Sequence, residues 1–275
     1  MLRQVTAVAT AALMAFPAFA DADRIARNKE AAVTLLEGIY GGNPAVVTEL
    51  VDDVYVQHSN SADGRDALAA GVAKGRDEGW FNAEAAEMFQ PNRVVANDEF
   101  AAVHYLDHGE NKVYVDIFRF NEAGKITEHW DHSQPYAINR SGRDMISGPR
   151  PTPTSPEVEA ANIETVKRVY NEYFGQGDVS ILPDVMNDLY IQHSSPNGLD
   201  GLEFFAGLVE KFGGPFESTL HKVFAEGDMV VVHGEYPKFN AASMDFFRLK
   251  DGKIVEHWDV FGPIPENLPH DNGYF

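Results

Sequence analysis

The chain carries one domain-length pattern twice, and that repetition constrains its fold more than any other feature. "YVQHS" at Tyr55–Ser59 returns as "YIQHS" at Tyr190–Ser194, an offset of 135 residues. "VHY" around His104 matches "VHG" around His233, and "DIFRF" from Asp116 matches "DFFRL" from Asp245, both at 129. "GKITEHWD" matches "GKIVEHWD" at 128. Four blocks in one order with slowly falling offsets define a tandem duplication, with small insertions in the first copy. Between the copies lies "SGPRPTPTSP" (Ser147–Pro156), whose four prolines favour an extended linker. The expected division is copy one at 21–146, the linker at 147–156 and copy two at 157–275, preceded by a distinct segment at 1–20.

Each copy shows the same coarse order. A helix comes first, "RIARNKEAAVTLLEGIY" or "EVEAANIETVKRVYNEYF", with apolar residues at helical spacing. A second short helix is expected to end near "YVQHS" or "YIQHS", and a third follows a glycine-containing turn, clearest as "LDGLEFFAGLVEKF". Strands follow: "RVVA", "FAAVHYL", "VYVDIFRF" and "KITEHWD", with "HKVFA", "MVVVHGEY", "MDFFRLK" and "KIVEHWD" as counterparts. Helices first and antiparallel strands afterwards indicate an α+β domain, its helices packed on one face of a curved sheet.

The first twenty residues, "MLRQVTAVATAALMAFPAFA", have a basic start at Arg3, an uncharged apolar run and a small-x-small close at Ala18–Ala20. They read as a cleaved secretory signal, so the mature protein is expected in the periplasm or outside the cell. No cysteine is present, which removes disulfides, thiol nucleophiles and thiolate metal sites. The formal charge is −20, and losing Arg3 with the signal makes it −21. Such a surface repels phosphate backbones and anionic lipid, so neither nucleic acid nor a membrane is an expected partner after processing.

The last hairpin of each copy supplies a register. Asp251-Gly252 suits a two-residue type I′ turn, and Glu122-Ala123-Gly124 a three-residue loop with its glycine left-handed. Both place Phe120 opposite Ile126 and Leu249 opposite Ile254. Counting back along regular strands sets Asp116 opposite Trp130 and Asp245 opposite Trp258. If the preceding hairpins pair about Glu110 and Phe239, His104 faces Asp116 and His233 faces Asp245. The expected concave face then carries Asp116, His104, Trp130, Phe118 and Phe120 in copy one, with Asp245, His233, Trp258 and Phe247 in copy two. His129 and Asp131 are expected to point outward with Ile117 and Arg119, and Glu128 and Glu256 to lie on the concave side near the rim. A carboxyl group walled by aromatic rings beside an imidazole can be poised for proton transfer near neutral pH. The alternative is a His–Asp hydrogen bond that only satisfies a buried polar pair.

"YVQHS"/"YIQHS", "DIFRF…GKITEHWD" and "DFFRL…GKIVEHWD" together resemble the SnoaL-like polyketide cyclase branch of the nuclear transport factor 2-like superfamily. The resemblance spans both copies, from the first helix through "EHWD". It implies two tandem cone-shaped domains, each a curved antiparallel sheet wrapped around N-terminal helices with an apolar pocket inside. It also implies proton-transfer chemistry beside a carbonyl without metal or cofactor. Asp116 and Asp245 would be the acid/base groups, with His104 and His233 orienting or polarising them. His58 and His193 would sit near the pocket mouth and donate to a substrate oxygen, while Trp130 and Trp258 would wall it. Similar domains often dimerise through the outer sheet face. The two copies are therefore expected to form an internal pseudo-dimer with His129 and His257 at its interface, which leaves room for a homodimer of whole chains.

Copy one carries six additional residues around "AKGRDEGWFNAEAAEMF", so its pocket wall is expected to differ. "EHWDH" offers His129, Asp131 and His132 to a metal, but strand alternation turns His132 away and copy two lacks it, so no metal is expected. Two functional readings stay open. One is a lyase or isomerase of the aldol or cyclase type, acting on a small apolar carbonyl compound. The other is an exported protein that binds a small apolar ligand without catalysis. A purely structural protein would instead fill its pocket with side chains.

Overall fold

The computed structural model describes residues 22–275 except residue 195. The proposed signal segment therefore lies outside the described residues. None of the described helices is long and apolar enough to cross a membrane.

The first unit runs α1 (Ala22–Tyr40), α2 (Ala45–Leu50), β1 (Val51–Gln57), α3 (Arg65–Asp77), α4 (Ala83–Met88), β2 (Pro91–Ala96), β3 (Phe100–Asp107), β4 (Lys112–Phe120) and β5 (Ile126–Pro135). The second begins with α5 (Pro156–Arg168), continued by a π-helical stretch, Val169–Phe174. It continues through α6 (Leu182–Val185), β6 (Met186–Gln192), α7 (Leu202–Ala206), α8 (Leu208–Lys211), β7 (Thr219–Glu226), β8 (Met229–Tyr236), β9 (Ala241–Lys250) and β10 (Lys253–Pro263). The sheets have equivalent orders, β1-β5-β4-β3-β2 and β6-β10-β9-β8-β7. Each unit is thus an α+β cone, with helices against the concave face of a five-stranded sheet.

"YVQHS" and "YIQHS" differ from expectation. They are strand rather than helix ends, and β1 and β6 pair parallel to β5 and β10. Alternating Val, Tyr and Val in β1 suit a half-buried strand, and its buried positions recur in β6.

The closing turns form as the sequence predicts. Asp251 and Gly252 both take positive φ, at 52° and 75°, and Gly124 stands at 79°. Phe120 pairs with Ile126 and Leu249 with Ile254. The next step departs from expectation. A β-bulge at Thr127, repeated at Val255, lets two residues of the outer strand oppose one of the inner, so Arg119 pairs with Glu128 and Arg248 with Glu256. Everything beyond the bulge changes face. Asp116 lies opposite Asp131, not Trp130, and Asp245 opposite Asp259, not Trp258.

The preceding hairpins correct the other half of the predicted row. Asp107 pairs with Lys112 and Tyr236 with Ala241 across four-residue loops that end in left-handed Asn111 and Asn240. The ladder is therefore one step off symmetry about Glu110. Val103, not His104, faces Asp116, and Val232, not His233, faces Asp245.

Two apolar clusters fill the cones. One joins Leu35, Val47 and Tyr55 to Phe118 and Phe120, and its counterpart joins Tyr170, Leu182 and Tyr190 to Phe247 and Leu249. A third lies between the units, where the outer sheet faces meet. It holds Val115, Ile117 and Trp130 from one sheet with Met244, Phe246 and Trp258 from the other. His129 and His257 are not in that interface, contrary to the sequence expectation, because the bulges turn them inward. The tryptophans expected inside the pockets occupy it instead.

Cations complete the interface reciprocally. The Arg93 guanidinium from β2 lies 3.8 Å from the ring centroid of Trp258, and Lys222 Nζ from β7 lies 3.6 Å from that of Trp130. His58 and His193 stack on the same indoles at 4.6 and 4.8 Å. The segment after each β-strand series crosses to the other unit. Asn139 Nδ2 donates to Gln192 O, and Asn272 Nδ2 donates to Gln57 O.

Candidate active site

Asp116 and Asp245 face the interiors of the cones, 3% and 4% exposed. His129 Nε2 lies 2.7 Å from Asp116 Oδ1, and His257 Nε2 lies 2.9 Å from Asp245 Oδ1. Asp131 and Asp259 stand directly across the ladder from those aspartates, so each cone holds an Asp–His–Asp cluster. Gln57 and Gln192, the glutamines of the repeated "YVQHS" and "YIQHS", touch the far nitrogen of each ring. Gln57 Nε2 is 3.1 Å from His129 Nδ1, and Gln192 Oε1 is 3.0 Å from His257 Nδ1.

In the second cluster His257 Nδ1–H donates to Gln192 Oε1, and its Nε2 faces Asp245 Oδ1. Ser243 Oγ donates to the other Asp245 oxygen. Burial, together with the charge of Asp245, lifts Asp259 to about 6. Asp131 is raised for the same reasons, burial first. Burial opposes protonation of His129, but the hydrogen bond and charge of Asp116 outweigh it and leave that imidazole raised. Tyr170 and Tyr236 are driven well above the usual phenol value by burial and Asp245, so they stay protonated donors.

The predicted site residues separate into two groups. Asp116, Asp245, Phe118 and Phe247 face the cone interiors. His104 and His233 lie on the opposite sheet face, fully buried, with Nδ1 toward Arg93 and Lys222. Burial lowers both, with the neighbouring cations adding to it, so they are neutral interface groups rather than partners of the aspartates. Trp130 and Trp258 share that face.

His58 and His193 are not at a pocket mouth. Each Nδ1–H donates to a carbonyl of the other unit's trailing segment, Gly273 O at 3.2 Å and Asp144 O at 2.7 Å. Their Nε2 atoms meet Glu128 and Glu256 at 3.2 and 2.9 Å. Those glutamates also bond Arg119 and Arg248, so they lie on the outer face and not the concave rim. Sequence reasoning missed His129, Asp131, His257 and Asp259 as pocket groups because nothing in "KITEHWD" marks the bulge. The duplicated His and Asp of "EHWD" were the available signal.

The ligating atoms within each Asp–His–Asp cluster lie within 4.8 Å of one another, so Asp116, His129 and Asp131, or Asp245, His257 and Asp259, have the donors for a divalent ion. This set differs from the "EHWDH" trio. His132 faces the interface, where the Tyr274 hydroxyl meets its Nδ1.

The surroundings of the two clusters differ. A cavity of about 460 Å³ in the second unit is lined by Asp245, His257, Asp259 and Gln192, with walls that include Tyr170, Phe204, Phe216 and Phe247. In the first unit a cavity of about 580 Å³ is lined by Tyr40, Trp80, Phe89 and their neighbours, and by no member of the Asp116 cluster. Tyr105 and Tyr114 pair across β3–β4 beside Asp116, their rings stacked at 5.5 Å. The equivalent pair across β8–β9 is Gly234 and Ser243, and there the Tyr236 side chain lies against Gly234 with its hydroxyl bonded to Ser243 Oγ.

Residues 166–257, within the second unit, match the SnoaL-like domain family, and the first unit repeats the strand order and the Asp–His–Asp cluster of the second. Among solved structures, the chain is similar to a protein of Jannaschia sp. CCS1 assigned as a SnoaL-like polyketide cyclase. Identity is 23%, the TM-score 0.34, and coverage 40% of this chain and 90% of that one. It is similar to TsrD from Streptomyces laurentii at 18% identity and TM-score 0.33, covering 37% and 88%. It is also similar to an LEH-like epoxide hydrolase of M. tuberculosis at 19% and 0.34, covering 40% and 83%. Among curated proteins, none matches the chain.

Proposed function

We propose that the second unit is an acid/base enzyme, a lyase or isomerase acting on a small apolar carbonyl compound, with its chemistry supplied by Asp245, His257 and Asp259. One observation carries this reading: all three line the same aromatic-walled cavity of about 460 Å³. That volume is within the usual range for small-molecule sites. Asp259, at about 6, is the group suited to exchange a proton with carbon near neutral pH. His257 holds Asp245 through the Nε2–Oδ1 contact at 2.9 Å. The phenols of Tyr170 or Tyr236 would donate to the oxygen on which enolate charge develops. The match to the SnoaL-like domain family supports the same reading.

The first unit favours a second reading in one respect. It keeps Asp116, His129 and Asp131 where Tyr105 and Tyr114 fill the neighbouring space, so such a cluster can be retained for structure. On that reading the second cavity binds its ligand without turnover.

Exchange of α-protons of 2-tetralone in D2O, followed by NMR, separates the two. An enzyme accelerates exchange saturably, loses at least about 100-fold on Asp245→Asn or Asp259→Asn, and is unaffected by Asp116→Asn. Binding of the ketone with no acceleration over buffer would leave only the binding reading. Export through the N-terminal segment belongs to the same proposal, and a mature protein starting at Asp21 would support it.

A further inference from the structure

The cavity of the first unit has a chemistry of its own. Most of its lining comes from the segment that carries the first copy's six additional residues, including Trp80, Phe81, Glu84, Met88 and Phe89. Tyr40 and the β3–β4 turn, Leu106–Glu110, close the other side. The aromatic groups are ordered. Tyr40 stacks on Phe89 at 5.1 Å and meets Phe81 edge-on at 6.1 Å. Trp80 stands at the opening, 65% exposed, an unusual position for an indole.

The polar groups around these rings are mainly acidic. Glu84, Asp107 and Glu110 all line the cavity. Glu110 is paired with Lys112, and Asp107 accepts from the Tyr40 hydroxyl at 2.8 Å, which leaves two carboxylates uncompensated by a basic group in the lining. Aromatic faces and carboxylates together attract cations, the rings through their quadrupoles and the carboxylates through charge. The protein already uses one of these rings in that way, since Lys74 Nζ sits 5.2 Å from the Trp80 ring centroid.

We propose that this cavity binds a small organic cation of the alkyl- or quaternary-ammonium class, at a site separate from the Asp245 pocket. An aromatic box with acidic edges accepts a charged nitrogen dressed in methyl groups, which a neutral apolar ligand matches only in shape. The Tyr40, Phe89 and Tyr105 rings pack together between this cavity and Asp116, so the site lies apart from the Asp–His–Asp cluster.

Choline and its neutral carbon isostere, 3,3-dimethyl-1-butanol, are the probes, titrated calorimetrically. Choline is expected to bind saturably, at least about fivefold more tightly than the isostere. It should also perturb tryptophan emission, because Trp130 and Trp258 are buried and Trp80 is the exposed reporter. Trp80→Ala and Glu84→Gln should each weaken choline at least about threefold, leaving the thermal midpoint and 2-tetralone exchange unchanged. Glu84 is an exposed residue in the first turn of α4, so its variant tests charge without threatening the fold. Equal affinity for the two probes, or no saturation by choline at millimolar concentration, would overturn the proposal.

Discussion

His257 reaches Asp245 diagonally across the β9–β10 ladder, Nε2 to Oδ1 at 2.9 Å, although the two would lie on opposite sheet faces in a regular hairpin. The bulge at Val255 brings them together, and the same bulge at Thr127 joins His129 to Asp116. The site therefore depends on backbone register as much as on its side chains.

Deleting Val255 should show this directly. It removes the extra residue but leaves Glu256 opposite Arg248 and His257 opposite Phe247, so His257 and Asp259 should keep facing the cone and Trp258 the interface. The near-ultraviolet circular dichroism of the second unit and its exchange activity are expected to survive. A folded deletion variant whose exchange activity is lost would contradict the account.

Asp259 should lower stability at neutral pH. Its folded value, about 6, lies above the ordinary carboxyl value of 3.8, so the folded state holds that proton more tightly than the unfolded state. The resulting penalty is full above pH 6 and disappears as pH falls below about 4. Asp259→Asn should therefore raise the melting midpoint at pH 8. The expected gain is about 1–2 kcal/mol, or about 3–5 °C, allowing for its partial exposure, and it should vanish by pH 4.

The tyrosine plug should be transferable. Gly234→Tyr with Ser243→Tyr copies the Tyr105–Tyr114 pair into the second unit; it displaces the Tyr236 ring, removes the Ser243 hydrogen bond to Asp245 and should abolish ketone exchange. Tyr105→Gly with Tyr114→Ser should open the first unit, at a cost of about 3–5 kcal/mol for the lost aromatic packing. Urea denaturation reads the cost, and 2-tetralone binding reads the opening.

The interface tryptophans should matter more to stability than to chemistry. Trp258 is fully buried beneath Arg93, and its Nε1 donates to Ser147 O at 2.8 Å. Trp258→Ala should destabilise the chain by about 3–5 kcal/mol. Loss of exchange activity without loss of stability would return this residue to the pocket wall.

The trailing segment Ile264–Phe275 carries no motif, yet it clasps the first unit. His270 Nε2 donates to Ser59 O at 2.9 Å, and the Tyr274 hydroxyl donates to Asp131 O at 3.0 Å. Removing residues 270–275 should lower the midpoint of the first unit by several degrees in a thermal scan, leaving the Asp245 cavity unaltered. Its partners are backbone groups of a distant segment, so no pattern within its own residues announces them.

Hydrophobic periodicity and the repeated blocks were sufficient to read the duplication, the α+β class and the curved sheet, because these depend on local pattern. The turn at Asp251-Gly252 was legible for the same reason, since two left-handed positions in succession select those residues. Asp116 and Asp245 were correctly placed inside because they alternate with Phe118, Phe120, Phe247 and Leu249 on their own strands. Placing their partners required a register across strands, where a single residue decides every face.

By itself, the sequence determined two cones, their aspartates and a difference between the copies at the insertion. Tertiary structure alone decided that His129 and His257 turn inward, that Trp130 and Trp258 bind the units together, and that the second cluster lies against an open cavity. The reason is that strand faces alternate with a period of two residues, so a bulge leaves the local pattern intact while exchanging what is buried in the pocket for what is buried between the sheets.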